Sequence, residues 1–204
     1  MNNFSRIASI YDPLAKLVFG HAIRESQTAQ FNVIKPNQKI LLVGGGTGWI
    51  LSELDKLGIS LKIDYVDKSS KMIEMAQRRA PFNNLTVDFV SADILEHRAL
   101  DYDVLMTHFF LDVFNQNCFK KVFRHLNKML LKNGVWVNTE FVSSNSFIRS
   151  IFIRFMYLFF RITANLQSYG LPKYEEAFLS AGFKKRNSTL FYHQLIESCI
   201  YTRS

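Results

Sequence analysis

Apolar residues along this chain follow two rhythms that alternate. Ile40-Leu41-Leu42-Val43 is a continuous apolar run of strand length, as a strand buried on both faces requires. Just past Gly44–Gly48 the spacing becomes Ile50, Leu51, Leu54, Leu57, which is one face of a helix. The alternation then repeats. Leu61–Asp67, Leu85–Val90 and Tyr102–His108 read as strands, and Met72, Ile73, Met75 and Ala76 mark a helix between the first two. A longer helix (Phe119, Val122, Phe123, Leu126, Met129, Leu130) leads through a Leu131-Lys132-Asn133-Gly134 turn into a fifth strand, Val135–Phe141. Strands alternating with helices predict a parallel sheet with helices on both faces. After Pro172 the order changes. A helix from Tyr174 to Ala181 stops at Gly182, and two alternating runs, Phe183–Phe191 and His193–Thr202, predict an antiparallel hairpin.

Two segments lie outside this series. Residues 4–34 carry a helical pattern (Phe4, Ile7, Ala8, Tyr11, then Leu14, Leu17, Val18, Ala22, Ile23, Phe31), with a break and restart at Asp12-Pro13. Residues 146–166 are apolar but punctuated by Arg149, Arg154 and Arg161, too often for a membrane-crossing helix. On a helical wheel Ser150, Arg154, Tyr157 and Arg161 share one stripe, while Arg149 sits alone on the apolar face. One domain is expected over 1–204, with an N-terminal helical part at 1–35 and a helical cover at 143–170.

The chemistry gathers where strands end. Gly44-Gly45-Gly46-Thr47-Gly48 is a sharp turn between strand and helix, and it lets backbone approach a ligand without side chains intervening. A dinucleotide turn, G-x-G-x-x-G/A, would need a small residue where Trp49 stands. The remaining pattern is G-x-G-x-G. Asp67 ends the second strand twenty-three residues after Gly44, where a nucleotide-binding α/β unit places a carboxylate for ribose hydroxyls. A plain cap for the following helix is the alternative for Asp67. Asp93-Ile94 follows the third strand, His108-Phe109 closes the fourth, and Glu140 lies near the end of the fifth.

Taken together, the glycine turn and the acids at successive strand ends resemble the class I S-adenosylmethionine-dependent methyltransferases, over nearly the whole chain and most closely from residue 38 to 141. Phe4-Ser5-x-Ile7-Ala8-x-x-Tyr11-Asp12 further resembles the N-terminal segment of the ubiquinone/menaquinone-biosynthesis group. The resemblance implies a Rossmann-like seven-stranded mixed sheet ending in an antiparallel hairpin, with S-adenosylmethionine as cofactor. It implies that Gly44, Gly45, Gly46, Thr47 and Gly48 hold the methionine part and that Asp67 serves the ribose, with Lys68 also among the cofactor-binding residues. Asp93 would accept from the adenine amino group, with the backbone of Ile94 facing the ring nitrogens and His108 also beside the cofactor. The chain departs from the family at one point. An acid usually stands two residues before the first glycine, and here that residue is Leu42.

Composition changes this picture little. Nineteen Phe among 204 residues fill a core or line a pocket for flat apolar ligands. The net charge of +8 is scattered, so no nucleic-acid partner is expected. Cys118 and Cys199 lack metal-ligand spacing, so no metal is expected, and isolated thiols fit a reduced cytoplasm. The amphipathic N-terminus does not read as a signal peptide. No integral membrane segment is expected; peripheral contact through the Arg-punctuated segment is left open.

The expected activity is methyl transfer to a small, apolar or aromatic molecule. His108 and Glu140 are the candidate bases, should the acceptor have to lose a proton. Tyr11, Phe109, Arg149, Phe152 and Met156 are the candidate acceptor-binding residues. Two alternatives stand beside this. An aminopropyltransferase-like enzyme would share the fold but calls for more acids than a +8 chain offers. A non-catalytic module that has kept the fold is the other, motivated by Leu42.

Overall fold

The computed structural model describes residues 19–142 and 172–203. The elements, in order, are α1 (Ala22–Thr28), β1 (Lys39–Val43), α2 (Trp49–Asp55), β2 (Leu61–Asp67), α3 (Ser70–Gln77), β3 (Leu85–Ser91), β4 (Tyr102–His108), α4 (Gln116–Met129), β5 (Leu130–Phe141), α5 (Tyr174–Ser180), β6 (Phe183–Phe191) and β7 (Ile196–Arg203). Short 3-10 turns fall at Phe31–Val33, Ile94–Glu96 and Leu111–Val113.

The strands form one seven-stranded sheet in the order β3-β2-β1-β4-β5-β7-β6. The first five are parallel, and β7 runs antiparallel between β5 and β6. From β1 the chain proceeds outward through β2 to β3, then returns to place β4 on the other side of β1. That reversal opens a crevice at the carboxyl ends of β1 and β4, where open α/β sheets bind ligands.

Two boundaries differ from the sequence pattern. The expected turn at Leu131–Gly134 is part of β5, because Leu130 already pairs with Tyr102 and the register shifts before Val104 meets Val135. The extra residues bulge within the strand instead of preceding it. At the hairpin, β7 begins at Ile196, since Tyr192, His193 and Gln194 all take positive φ (45°, 55° and 66°) and form the turn. The N-terminal helical pattern is described from Phe19 onward and yields α1 and the turn at Phe31–Val33. The cover at 143–170 lies outside the described residues.

The aromatic surplus fills the core between α4, α5 and the β5–β7 end of the sheet. Phe123 stacks on Trp136 with centroids 5.2 Å apart, and Phe178 stacks on Tyr201 at 3.7 Å. The buried indole Nε1–H of Trp136 donates to Thr107 Oγ1 at 2.8 Å, and Thr107 donates onward to Asn138 Oδ1 at 2.8 Å. Aromatic area is thus buried without leaving its one polar atom unmatched. On the opposite face Ile40, Leu42, Ile50, Leu54, Ile63 and Tyr65 pack together and seat α2 and α3. No helix among the described residues is long and apolar enough to cross a membrane.

Candidate active site

A cavity of about 430 Å³ lies over the carboxyl ends of the parallel strands. The glycine turn forms its floor. Gly44 N–H donates to Val66 O at 2.8 Å, and Gly48, with φ of 76°, caps α2. Three of the glycines are dictated by crowding from close neighbours. A Cβ on Gly44 would lie 2.5 Å from the Phe110 ring, one on Gly45 2.4 Å from Tyr65, and one on Gly48 2.5 Å from Ala76 Cβ. Gly46 is different. Its φ is 62°, a Cβ there would meet nothing within 4 Å among the described residues, and the residue lines the cavity.

Polar groups hold this turn in place. Tyr65, on β2, donates its hydroxyl to Gly46 O at 2.9 Å. Asp67 Oδ2 accepts from Gly46 N–H at 3.3 Å, and Asp67 Oδ1 accepts from Ser69 N–H at 2.8 Å. Arg79 Nε donates to Thr47 O at 2.6 Å. Leu42, where an acid was expected, is buried in the core beneath the turn. Support for the loop therefore comes from β2 and the end of α3. Tyr65 and Arg79 were missed in the sequence, although the two-residue strand period puts Tyr65 on the same face as Asp67.

The acids behave differently from each other. Burial raises the pKa of Asp67 to about 6, against the opposing pull of the Ser69 and Gly46 N–H groups. The cap of α3 is Ser69, whose Oγ accepts from Met72 N–H at 3.3 Å, so Asp67 is left to brace the turn and line the cavity. Burial also acts to raise Asp93. The Lys68 ammonium at 2.6 Å, the Leu95 N–H at 3.1 Å and the positive charges nearby outweigh it and hold the carboxylate below its ordinary pKa. Asp93, Ile94 and Lys68 all line the cavity.

His108 lies at the end of β4, 5% exposed, and among the described residues neither ring nitrogen has a hydrogen-bond partner. Burial lowers its pKa to about 3, so the imidazole is neutral. Phe109 follows with φ of 51°, an uncommon conformation for a bulky residue. It is held by Phe109 N–H donating to Thr139 O at 2.7 Å and by its ring against Phe141. Phe109, Phe110 and Phe114 form an apolar wall of the cavity.

Glu140 stands behind that wall and does not line the cavity. It is 1% exposed, and its Oε1 accepts from Phe110 N–H at 3.2 Å and Leu111 N–H at 2.8 Å. Burial, followed by the charge of the neighbouring Asp112, pushes its pKa well up. The strand-end position predicted a group at the rim, whereas the turn at Leu111–Val113 folds over Glu140 and encloses it. Of the acceptor-binding candidates, Phe109 is in the cavity; Tyr11, Arg149, Phe152 and Met156 lie outside the described residues. The helix α1 contributes Ile23, Arg24 and Gln27, none anticipated because a short helix ahead of the first strand carries no ligand motif. No cluster of metal-ligating side chains occurs among the described residues.

A parallel sheet that reverses at β1, a G-x-G-x-G turn at the reversal, acids at the next two strand ends and a closing antiparallel hairpin form the seven-stranded Rossmann-like fold typical of methyltransferases. Residues 40–134 match the family described as methyltransferase domain. The chain is 22% identical over 156 residues to the carboxy-S-adenosyl-L-methionine synthase of Nautilia profundicola, covering 74% of this chain and 66% of that protein. In fold it is similar to the magnesium protoporphyrin IX methyltransferase of Synechocystis PCC 6803 with bound S-adenosylhomocysteine (TM-score 0.68, 16% identity, 98% of this chain and 97% of that one). It is likewise similar to the 1,6-didemethyltoxoflavin-N1-methyltransferase of Burkholderia thailandensis (TM-score 0.67, 14% identity, 97% and 85%).

Proposed function

We propose that this chain transfers a methyl group from S-adenosylmethionine to a small, largely apolar or aromatic molecule bound against the Phe109–Phe110–Phe114 wall. The observation that carries the reading is the open side of Gly46, bordered by Asp67 in a cavity that His108 and the three Phe also line. The residues present fit the cofactor. Asp67 would accept from the ribose hydroxyls, Asp93 from the adenine amino group, with Ile94 beside the ring, and Lys68 would hold Asp93 in place. Gly44–Gly48 would take the methionine part. The Phe4–Asp12 stretch favours a place near the ubiquinone/menaquinone-biosynthesis group.

The cofactor, when bound, supplies an activated methyl on a sulfonium, so the protein's task is alignment and exclusion of water. The Phe wall serves both ends. Each aromatic ring packed against the acceptor buries area worth about 25 cal/mol per Å². His108, being neutral and buried, is suited to hydrogen bonding more than to taking a proton, since a base of such low pKa gains little from transfer. Glu140 shapes the wall through the Phe110 and Leu111 amides. The tests are calorimetry and a labelled methyl assay. Wild type should bind S-adenosylhomocysteine, and Asp67→Ala should weaken it by about 1–3 kcal/mol, the usual effect of leaving a buried polar partner unmatched. Equal binding by both proteins would refute the ribose assignment.

A further inference from the structure

Among the described residues, two side chains on the cavity lining carry buried polar atoms with no hydrogen-bond partner: Gln27 through Oε1, and His108 through both ring nitrogens. A buried unmatched polar atom is costly, and where two residues that line one cavity carry such atoms a ligand is the natural complement. Gln27 is not loosely placed. Its helix α1 is tied to the sheet by Thr139 Oγ1 donating to Ser26 O at 3.3 Å, and just past its end Gln30 Nε2 donates to Ser198 O at 3.0 Å.

The strand order says which part of the ligand arrives there. If Asp93, beyond β3, takes the adenine and Asp67, at the end of β2, takes the ribose, the cofactor runs along the order β3-β2-β1-β4. Its amino acid end then lies over β1 and β4, beside His108 and under α1. That end carries an ammonium with three donors, and it needs acceptors. Leu42 offers none, being apolar and buried. A glutamine carbonyl and the unprotonated nitrogen of a neutral imidazole are both acceptors.

We infer that Gln27 Oε1, together with the unprotonated ring nitrogen of His108, binds the ammonium of the cofactor's amino acid end. This assignment rests on the cofactor reading above, and the experiment separates the two. The full chain is titrated calorimetrically with S-adenosylhomocysteine and with 5′-methylthioadenosine, the same thioether nucleoside without the amino acid. Wild type should bind both. Gln27→Leu, similar in size but without an acceptor, should weaken S-adenosylhomocysteine by about tenfold, an ordinary effect for one hydrogen bond to a charged group. It should leave 5′-methylthioadenosine within about twofold. Gln27→Glu, which restores an acceptor, should recover the affinity. Equal losses for both ligands in Gln27→Leu would mean that the residue only packs α1, and no loss for S-adenosylhomocysteine would remove Gln27 from the site; either result overturns the inference. If wild type binds neither ligand, the cofactor reading itself falls.

Discussion

The hydroxyl of Tyr65 donates to the carbonyl of Gly46 at 2.9 Å, while the rim of the same ring presses against Gly45. One side chain thus sets both the direction of the glycine turn and the closeness of its packing. Tyr65→Phe keeps the ring and removes the hydrogen bond. The expected result is a loss of about 1 kcal/mol in affinity for S-adenosylhomocysteine with little change in the urea midpoint. An unchanged affinity would mean that the turn holds its shape without this bond.

Gly46 should tolerate no side chain when ligand is present. Gly46→Val adds bulk at a residue that lines the cavity, at a φ of 62° that a β-branched residue resists. Affinity for S-adenosylhomocysteine should fall by more than about 100-fold, while circular dichroism still reports a folded α/β protein. Retained binding would place the ligand away from the turn.

Asp67 makes ligand affinity depend on pH. Its pKa is raised to about 6 by burial, so the ligand-free native state holds this proton more tightly than the unfolded chain does. Its contribution to stability is therefore lost as pH rises from about 4 towards 6, where the unfolded chain has already released the proton. Binding should follow the opposite sign, because ribose hydroxyls need the carboxylate. S-adenosylhomocysteine affinity should climb through about pH 6 and level off above it, and Asp67→Asn should abolish the climb. Parallel profiles for the two proteins would exclude Asp67 as the titrating contact.

Glu140 separates a base from a brace. Glu140→Ala orphans the buried amides of Phe110 and Leu111 and should destabilise the protein by about 2–4 kcal/mol in urea unfolding. Glu140→Gln keeps an acceptor at that position and should retain methyl transfer once an acceptor substrate is known. Loss of turnover in a stable Glu140→Gln protein would make it the base instead.

The acceptor class is open to competition experiments. With S-adenosylhomocysteine present, small aromatic acids should raise the melting temperature, whereas tRNA and DNA oligomers should not. The reverse pattern would shift the acceptor site to the basic surface.

Much of this arrangement was legible in the chain itself. Strand and helix periods are local, so the alternation from Ile40 to Phe141 and the closing hairpin followed from spacing alone. The glycine turn, Asp67 and Asp93 were equally visible, since backbone conformation and strand-end position depend on near neighbours. Partnership was not. That Tyr65 carries the turn in the absence of an acid at Leu42, that Glu140 is enclosed by the Leu111–Val113 turn, and that α1 brings Gln27 to the cavity all depend on contacts between distant segments. Periodicity tells a side chain which face it is on. Only the packing of the sheet against its helices decides whether that face meets a ligand, an amide or the core.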